Sequence, residues 1–248
     1  MDDLKSRFDR DGFVVVPGLL PPGDLAELAA NLDRYIREVV PGLPDRDAFY
    51  VDRSRPETLK QLQHMEVDSY FRDYVRHPAW LGLAGMLLGE DPEPMSVEWF
   101  NKPPGTNSPT PPHQDNYYFC LRPPNVVTVW LALDPVDEDN GCLRYVAGSH
   151  SRGIRPHAQS NILGFSQGIA DYGDEDRARE VVVRLRPGDA VAHHGDTIHR
   201  ADPNRSPMRH RRALAMVVRG EGARRDEAAF ARYMEALGAQ HQGLGLKP

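Results

Sequence analysis

The feature that most constrains the fold is a change in sequence texture near residue 94. From there on, short segments rich in β-branched and aromatic residues alternate with turns rich in Pro, Gly, Asn and Asp. Several short strands with regular turn signals are typical of a β-sandwich or barrel. The sequence therefore predicts a mainly β core over residues 94–219. The predicted strands are MSVEWFNK, VVTVWLAL, CLRYV, VVVRLR, AVAHH and RALAMVV.

The segments on either side of this core have helical patterns. In residues 21–40, apolar side chains recur at spacings of three and four, which predicts an amphipathic helix. Residues 68–89 predict two short helices separated at Pro78, because a proline ends the preceding helix. We therefore expect a helical support over residues 1–93, and a C-terminal helix and tail over residues 220–248.

Other segments have predictions of their own. Residues 12–16 indicate a short strand, and residues 41–57, rich in Pro, Asp and Arg, indicate a loop. Residues 147–180 lack periodicity, and such a long connection is often a lid or a binding loop. Residues 225–237 favour a helix, and the last eleven residues a mobile tail. No internal repeat is visible, so one domain over residues 1–248 is the simplest organisation.

Two His-x-Asp pairs, His113/Asp115 and His194/Asp196, are candidate metal ligands. On a strand, residues i and i+2 point to the same face, so such a pair can bind one ion. Together with a distant His, the pair forms the two-His-one-carboxylate triad that leaves coordination positions open in iron(II) oxygenases. The pattern alone does not choose between the pairs, because about one is expected by chance from composition.

The context of the first pair favours it as the metal site. The segment TPPHQDNYYF enters a predicted strand from a Pro-rich loop, which places His113 and Asp115 at the entrance of that strand. His199 lies in the segment that follows the predicted strand AVAHH, and it is the candidate third ligand. His193 and His194 are better explained as structural histidines.

An arginine cluster opens the predicted strand RALAMVV and offers an anchor for a carboxylate. By alternation, Arg211 shares a face with two alanines, whereas Arg212 shares the other face with bulky apolar side chains. A guanidinium beside small residues has room to bind a dicarboxylate through its planar fork. The pattern favours Arg211, with Arg212 and Arg209 as alternatives.

Five stretches, which together span most of the chain, carry a family resemblance. They are GFVVVPGLL, FNKPP, PPHQDNYYF, WLALDPVDEDNGCLRYVAGSH and HHGDTIHRADPNRSPMRHRRALA. In this order they resemble the phytanoyl-CoA dioxygenase family of iron(II)/2-oxoglutarate oxygenases. The resemblance implies a double-stranded β-helix, the cupin-like jelly roll, with an N-terminal helical region. It also implies His113, Asp115 and His199 as iron ligands, and Arg211 as the partner of the distal carboxylate of 2-oxoglutarate.

The resemblance extends to further cosubstrate contacts and also has departures. It implies contacts from Trp130, which shares a face with Thr128, and from Lys60. The alternatives are that Trp130 is a core aromatic and Lys60 an exposed helix lysine. Many members have a serine that contacts the cosubstrate where this chain has Ala201, which cannot donate that hydrogen bond. Halogenating relatives lack the carboxylate that Asp115 supplies here, so halogenation is not expected.

The implied reaction is that of an enzyme with Fe(II), 2-oxoglutarate and O₂ as cofactor and cosubstrates. It hydroxylates or otherwise oxidises an unactivated C–H bond of a small organic substrate, with release of succinate and CO₂. Asn116, Tyr117 and Tyr118 follow the ligands and are candidates for the substrate pocket, and Arg152 in the predicted lid is a candidate contact for an anionic substrate. A cupin-type metalloenzyme without 2-oxoglutarate and a non-catalytic binding protein on the same fold are the alternatives.

Composition argues against several other classes. The net charge is −6, from 36 acidic and 30 basic residues, whereas nucleic-acid binders usually have a basic excess. The two cysteines, Cys120 and Cys142, cannot build a disulfide framework for a chain this long. No apolar segment resembles a secretory signal or reaches the ~18 residues of a membrane span. Cytoplasmic residence and a small-molecule partner, with neither nucleic acid nor membrane, are therefore expected.

Overall fold

The structure is a computed structural model that describes residues 2–106, 108–162 and 165–243. The helices are α1 (Asp2–Asp11), α2 (Pro22–Glu38), α3 (Ser69–Tyr74), α4 (Pro78–Leu88), α5 (Asn116–Phe119), α6 (Asp174–Ala178) and α7 (Glu227–Gly243). The strands before the metal-ligand region are β1 (Phe13–Val16), β2 (Ala48–Tyr50), β3 (Leu59–Leu62) and β4 (Pro92–Lys102). The later strands are β5 (Thr110–His113), β6 (Leu121–Arg122), β7 (Val126–Ala132), β8 (Leu143–Val146), β9 (His157–Ile162), β10 (Phe165–Ile169), β11 (Glu180–Val183), β12 (Ala190–His194), β13 (His199–Ala201), β14 (Arg211–Gly220) and β15 (Arg224–Arg225).

Two antiparallel sheets form the body of the fold. The larger has seven strands in the order β1-β12-β7-β14-β4-β3-β2, and the smaller has four in the order β11-β8-β13-β5. Apart from β2, β3 and β4, neighbours in these sheets are distant in sequence, as in a jelly roll, where strands alternate between two facing sheets. The predicted mainly β fold with flanking helices is confirmed. That the whole chain forms one domain stays a prediction.

The two faces of the large sheet have different neighbours. On β7, Val129 and Leu131 face a core that the N-terminal helices cover, whereas Trp130 and Ala132 face the small sheet. Strand β14 repeats this alternation, since Leu214, Met216 and Val218 belong to the first core and Ala213 and Ala215 to the second. The predicted division of RALAMVV into an apolar face and a small-residue face is thus confirmed.

The N-terminal helices cover the outer face of the large sheet. Helix α2 has Pro at its first position and Asp24 in its first turn, both of which suit a helix start. Helix α4 starts at Pro78 and ends before Gly89, whose φ of 69° is the left-handed conformation that favours glycine. Buried Leu28 and Trp80 pack into the same core as β7. The helices predicted at 21–40 and 68–89 are therefore confirmed.

Two N-terminal predictions are wrong in detail. Residues 41–57 are not only a loop, because they contain β2, which joins the edge of the large sheet beside β3. Strand β1 pairs with β12 at the opposite edge, which confirms the strand predicted at residues 12–16. The segment 1–93 is nevertheless not only a helical support, because β1, β2 and β3 join the large sheet. These strands are three to four residues long and lie at or next to an edge of the sheet, and local patterns indicate such short strands weakly.

The region after the core also differs from its prediction. Residues 147–180 contain the β9–β10 hairpin and α6, so they are not an unstructured connection. Helix α7 reaches Gly243, beyond the predicted end at residue 237, and the part of the predicted tail at 244–248 lies outside the described residues. Among the described helices, none is long and apolar enough to cross a membrane.

Candidate metal centre

Three side chains from neighbouring elements of the small sheet converge at its edge. His113 ends β5, His199 begins β13 opposite it in register, and Asp115 follows in the turn into α5. One ligand atom from each lies within 4.8 Å of the other two. Asp115 has helical backbone angles, so the predicted strand through His113 and Asp115 is wrong, although the predicted convergence of the three residues is confirmed.

The imidazoles are oriented so that one particular nitrogen of each faces the centre. Nδ1 of His113 donates to the Pro111 carbonyl at 2.8 Å, and Nδ1 of His199 donates to the Thr197 carbonyl at 3.0 Å. A donating Nδ1–H leaves Nε2 with its lone pair, which is the form that ligates a metal. The two Nε2 atoms lie 3.5 and 3.6 Å from Oδ1 of Asp115.

Asp115 is held through its other oxygen. Its Oδ2 accepts from the Thr128 hydroxyl at 2.7 Å and contacts His193 Nε2 at 3.0 Å. Nδ1 of His193 lies 3.0 Å from the Tyr145 hydroxyl, so it accepts that proton when Nε2 donates to Asp115. Oδ1 of Asp115 is thereby free to bind a metal ion. Thr128 and His193 are hydrogen-bond partners of the kind that commonly orient metal-bound carboxylates.

Burial and mutual proximity set the charges of this group. The imidazoles around it hold the pKa of Asp115 well below its usual range, despite burial. Burial and the neighbouring imidazoles hold the pKa of His199 well below its usual value. An ionised carboxylate and a neutral imidazole are the protonation states required for metal binding.

The second His-x-Asp pair has a structural role instead. Nδ1 of His194 accepts from the backbone N–H of Asp196, at 3.0 Å, and Oδ1 of Asp196 accepts from the Asn116 amide at 3.1 Å. Burial raises the pKa of Asp196 to about 6. This pair ties β12 to the loop before His199, and it does not belong to the ligand cluster.

A cavity of about 400 Å³ opens beside the triad, between the two sheets. Strands β4, β7 and β14 supply one wall, and α7 supplies Tyr233, Leu237 and Gln240 on the far side. The described lining includes all three triad residues, Thr128, Trp130 and Arg211. The side chains predicted for the metal and the cosubstrate therefore share one enclosed space, with Lys60 the exception.

Arg211 is the unpaired member of the arginine cluster. Its guanidinium is buried, its Nε has no hydrogen-bond partner among the described residues, and it lies 5.2 Å from the Trp130 ring centre. Burial lowers its pKa to about 10, so it remains charged at neutral pH. Arg212 is paired with Asp134, and Arg209 is paired with Asp137 and Asp139. Only Arg211 thus offers a free charge to the cavity among these three.

The remaining cosubstrate candidates have different positions. Trp130 packs in the core between the sheets and also lines the cavity, so it is a core aromatic, and its contact with the cosubstrate stays a prediction. Lys60 lies on β3 and not on a helix, is half-buried, and is not among the lining residues. Burial lowers its pKa to about 8. Ala201 lines the cavity and pairs in register with Thr110, which also lines it.

The four substrate candidates lie in different places, and three of them are on the short helix α5. Tyr118 lines the cavity and donates to the Gln167 carbonyl at 2.7 Å. Asn116 is buried and accepts a hydrogen bond from the backbone N–H of Leu121, and Tyr117 stacks on His157. Neither Asn116 nor Tyr117 is in the described lining of the cavity. Arg152 is exposed and does not reach the cavity, so its predicted substrate contact is not supported by its position.

Several lining residues were not singled out by the sequence. Glu98 lies on β4, Glu66 in the 3-10 turn Met65–Val67, and Tyr233 on α7. For Glu98 a signal existed, because it alternates with buried Val97 and Trp99, but a polar residue in that position ordinarily faces solvent. His193 also interacts with the triad more directly than a structural histidine would.

The fold and donor set define a jelly-roll protein with a two-His-one-carboxylate centre. The chain belongs to the phytanoyl-CoA dioxygenase family, whose model matches residues 8–213. Among curated relatives, the peroxisomal phytanoyl-CoA dioxygenase of Bos taurus is 30% identical over 218 residues, covering 82% of this chain and 64% of that protein. The chain thus spans just under two thirds of the length of this relative.

Solved structures with the same fold extend the comparison. The epimerase SnoN, in complex with Fe³⁺, α-ketoglutarate and nogalamycin RO, is 25% identical with a TM-score of 0.72, covering 90% of this chain and 84% of that one. EvdO2 from Micromonospora carbonacea var. aurantiaca, complexed with 2-oxoglutarate, is 25% identical with a TM-score of 0.72, covering 91% and 92%. Both proteins are similar to this chain over nearly its whole length.

Proposed function

We propose that the protein is an iron(II)- and 2-oxoglutarate-dependent oxygenase that oxidises an unactivated C–H bond of a small organic substrate. The observation that carries the proposal is the meeting of the triad and the unpaired Arg211 in one buried cavity. A metal-binding cupin without 2-oxoglutarate has no need for a buried guanidinium without a carboxylate partner. Such a charge is costly unless a ligand completes it.

The residues fit the iron and its cosubstrate. Two neutral imidazole nitrogens and one carboxylate oxygen suit Fe(II) and leave coordination positions open, and we assign them to His113, His199 and Asp115. When bound, iron(II) with 2-oxoglutarate and O₂ supplies the oxidising chemistry, with succinate and CO₂ as products. The chain supplies the position of these groups and the exclusion of water.

Arg211 binds the distal carboxylate of 2-oxoglutarate in this proposal. Its planar fork suits a carboxylate, and the Trp130 face beside it restrains the orientation of the guanidinium. Thr110 takes the role of the serine that Ala201 replaces, because the two residues are paired across β5 and β13 and both line the cavity. We assign no cosubstrate contact to Lys60.

The triad's supports keep the centre preorganised. Thr128 and His193 hold one oxygen of Asp115, so the carboxylate presents the other oxygen in a fixed direction. Tyr145 fixes the tautomer of His193 through its hydroxyl. A centre held in this way needs no rearrangement when the metal binds.

The substrate is a small molecule held between the triad and α7. The cavity is near the lower end of the usual range for ligand sites, about 300–1,000 Å³. Tyr118, Tyr233 and Gln240 line the cavity, although the Tyr118 hydroxyl and the Gln240 amide also donate to backbone carbonyls. The bovine relative is described as peroxisomal, so cytoplasmic residence of this chain stays a prediction.

Formation of succinate tests the proposal. The protein reconstituted with Fe(II) is expected to convert 2-oxoglutarate to succinate with matching O₂ uptake, slowly without substrate and faster with it. Arg211→Ala is expected to remove this turnover, whereas Arg209→Ala, which changes a surface ion pair, is the matched control. Turnover that is unaffected by Arg211→Ala would favour another anchor, and the absence of succinate under all conditions would favour the cupin or binding-protein alternatives.

A further inference from the structure

Glu98 is a carboxyl group inside the cavity, on the substrate side of the centre. On β4 it pairs in register with Ala215 of β14, four residues beyond Arg211, or about 13 Å along the strand. Both Glu98 and Arg211 line the same cavity, and Asp115 is close enough to Glu98 to raise its pKa. Glu98 is therefore near the metal centre and well removed from the cosubstrate anchor.

Glu98 has no salt-bridge partner among the described residues. Its side chain accepts from the Gln61 amide at 3.5 Å, the outer limit for such a bond, and His64 favours its charged form only through a more distant interaction. Burial raises the pKa of Glu98 to about 7. Polar groups at this depth are usually fully hydrogen-bonded, so a carboxyl group with one long contact is unusual.

Glu66 is a second carboxyl group that lines the same cavity, and its hydrogen bonding is incomplete among the described residues. Its Oε2 is buried and has no hydrogen-bond partner among the described residues. It follows His64, whose Nδ1 lies 2.8 Å from Asp47 Oδ1. Glu66 lines the cavity together with Glu98, so two carboxyl groups face one space.

The basic side chains that line the cavity have other neighbours. Arg211 binds the cosubstrate under the proposed function, and Nδ1 of His64 lies 2.8 Å from Asp47. Arg225 is exposed, with its guanidinium 4.1 Å from the centre of the Phe230 ring. In the described part of the chain none of these side chains forms a salt bridge with the two carboxyl groups on the side that the substrate occupies. A substrate with a positive charge would complete it, whereas an anionic one would be repelled.

We propose that Glu98, assisted by Glu66, binds a protonated amine of the substrate and so determines which C–H bond faces the metal. This inference rests on the proposed function for its meaning in catalysis. An ammonium group supplies several donors to the two carboxylates, and charge-assisted hydrogen bonds are about twice as strong as neutral ones. A neutral alcohol would leave the carboxylates without a counter-charge.

Calorimetric titration with three matched probes tests the proposal. The full chain, loaded anaerobically with Fe(II) and 2-oxoglutarate, is titrated with n-butylamine, 1-butanol and butyrate. We expect n-butylamine to bind at least about tenfold more tightly than 1-butanol, since a charge-assisted pair replaces a neutral contact. Glu98→Gln is expected to lower the affinity for n-butylamine about tenfold and to leave that for 1-butanol unchanged. Glu66→Gln is expected to cause a smaller loss.

The controls separate this inference from folding and from the proposed function. Glu235→Gln changes an exposed carboxylate on α7 and is expected to bind all three probes as the wild type does. Repeating the titration without metal and cosubstrate shows whether recognition by Glu98 exists even if the oxygenase assignment fails. Failure of n-butylamine to bind the wild type, equal binding of 1-butanol, or unchanged amine binding by Glu98→Gln would each overturn the proposal.

Discussion

The two faces of the large sheet are built from the same strands but differ in the side chains they bury. On the outer face, Leu131, Leu214 and Met216 are fully buried in the hydrophobic core that the helices cover. On the inner face, Arg211 is buried and its Nε has no partner among the described residues, and half-buried Glu98 has one long hydrogen bond. The outer face contributes stability, whereas the inner face retains unpaired charges that only ligands complete.

Loss of a metal-ligating side chain on the inner side should have the largest effect on metal binding and activity. Asp115→Asn is expected to weaken Fe(II) binding by at least about 100-fold and to abolish succinate formation, because even supporting contacts of a metal cost 10–100-fold. Metal content after dialysis and succinate formation measure this. Asp196→Asn is the matched control from the other His-x-Asp pair, and equal losses in both variants would contradict the choice of site.

A substitution on the outer face should lower stability and leave ligand binding unchanged. Leu214→Ala is expected to lower the free energy of unfolding by about 2–5 kcal/mol, because it leaves a cavity in a closed core. Denaturant unfolding measures this, and the dissociation constant of 2-oxoglutarate for the folded protein should not change. A large change in cosubstrate affinity would show that the two faces are not independent.

Glu98→Gln should stabilise the protein in a pH-dependent manner. The pKa of Glu98 is raised to about 7 from an unfolded value near 4.5, so the wild type loses stability through this group as the pH rises between these values. The loss is at most about 3 kcal/mol above pH 7. The free energies of unfolding of the metal-free variant and the metal-free wild type should therefore be equal near pH 4 and differ at pH 8. A difference that does not depend on pH would contradict the raised pKa.

The smallest effect concerns the residue proposed to replace the missing serine. Thr110→Val is expected to raise the dissociation constant of 2-oxoglutarate about 3- to 10-fold, which corresponds to one neutral hydrogen bond of about 1 kcal/mol. Adding Ala201→Ser on the paired strand should restore part of the affinity. Unchanged binding by Thr110→Val would remove Thr110 from the cosubstrate site.

The two faces also differ in how well the sequence predicts them. The alternation that separates Arg211 from Arg212 is a local property of one strand, and it favours Arg211, which lines the cavity, over Arg212, which is paired with Asp134. Asp115 lies in a helical turn, where the predicted strand is wrong. The neighbouring Gln114 side chain donates to the carbonyls of Gly153 and Asp196, which are distant in sequence, so a local pattern does not indicate these contacts.

Other parts of the site had no sufficient signal in the sequence. Glu98 occupies an inward position of β4 that a soluble strand would normally turn to water. The β9–β10 hairpin and the edge strand β2 form through pairing with distant segments, which periodicity over a few residues does not indicate. The family resemblance predicts the triad and the anchor, but it predicts neither the acidic side of the cavity nor the positions of Lys60 and Arg152 outside the described lining.

An anaerobic titration of the protein with Fe(II) and 2-oxoglutarate, followed by visible absorption, tests the metal and cosubstrate sites most directly. We expect a metal-to-ligand charge-transfer band in the wild type and in Arg209→Ala. For Arg211→Ala we expect that about 100-fold more 2-oxoglutarate is needed, since a buried charge pair is lost. Absence of the band in the wild type would contradict the iron and 2-oxoglutarate assignment, and an unchanged titration of Arg211→Ala would contradict the assignment of the anchor.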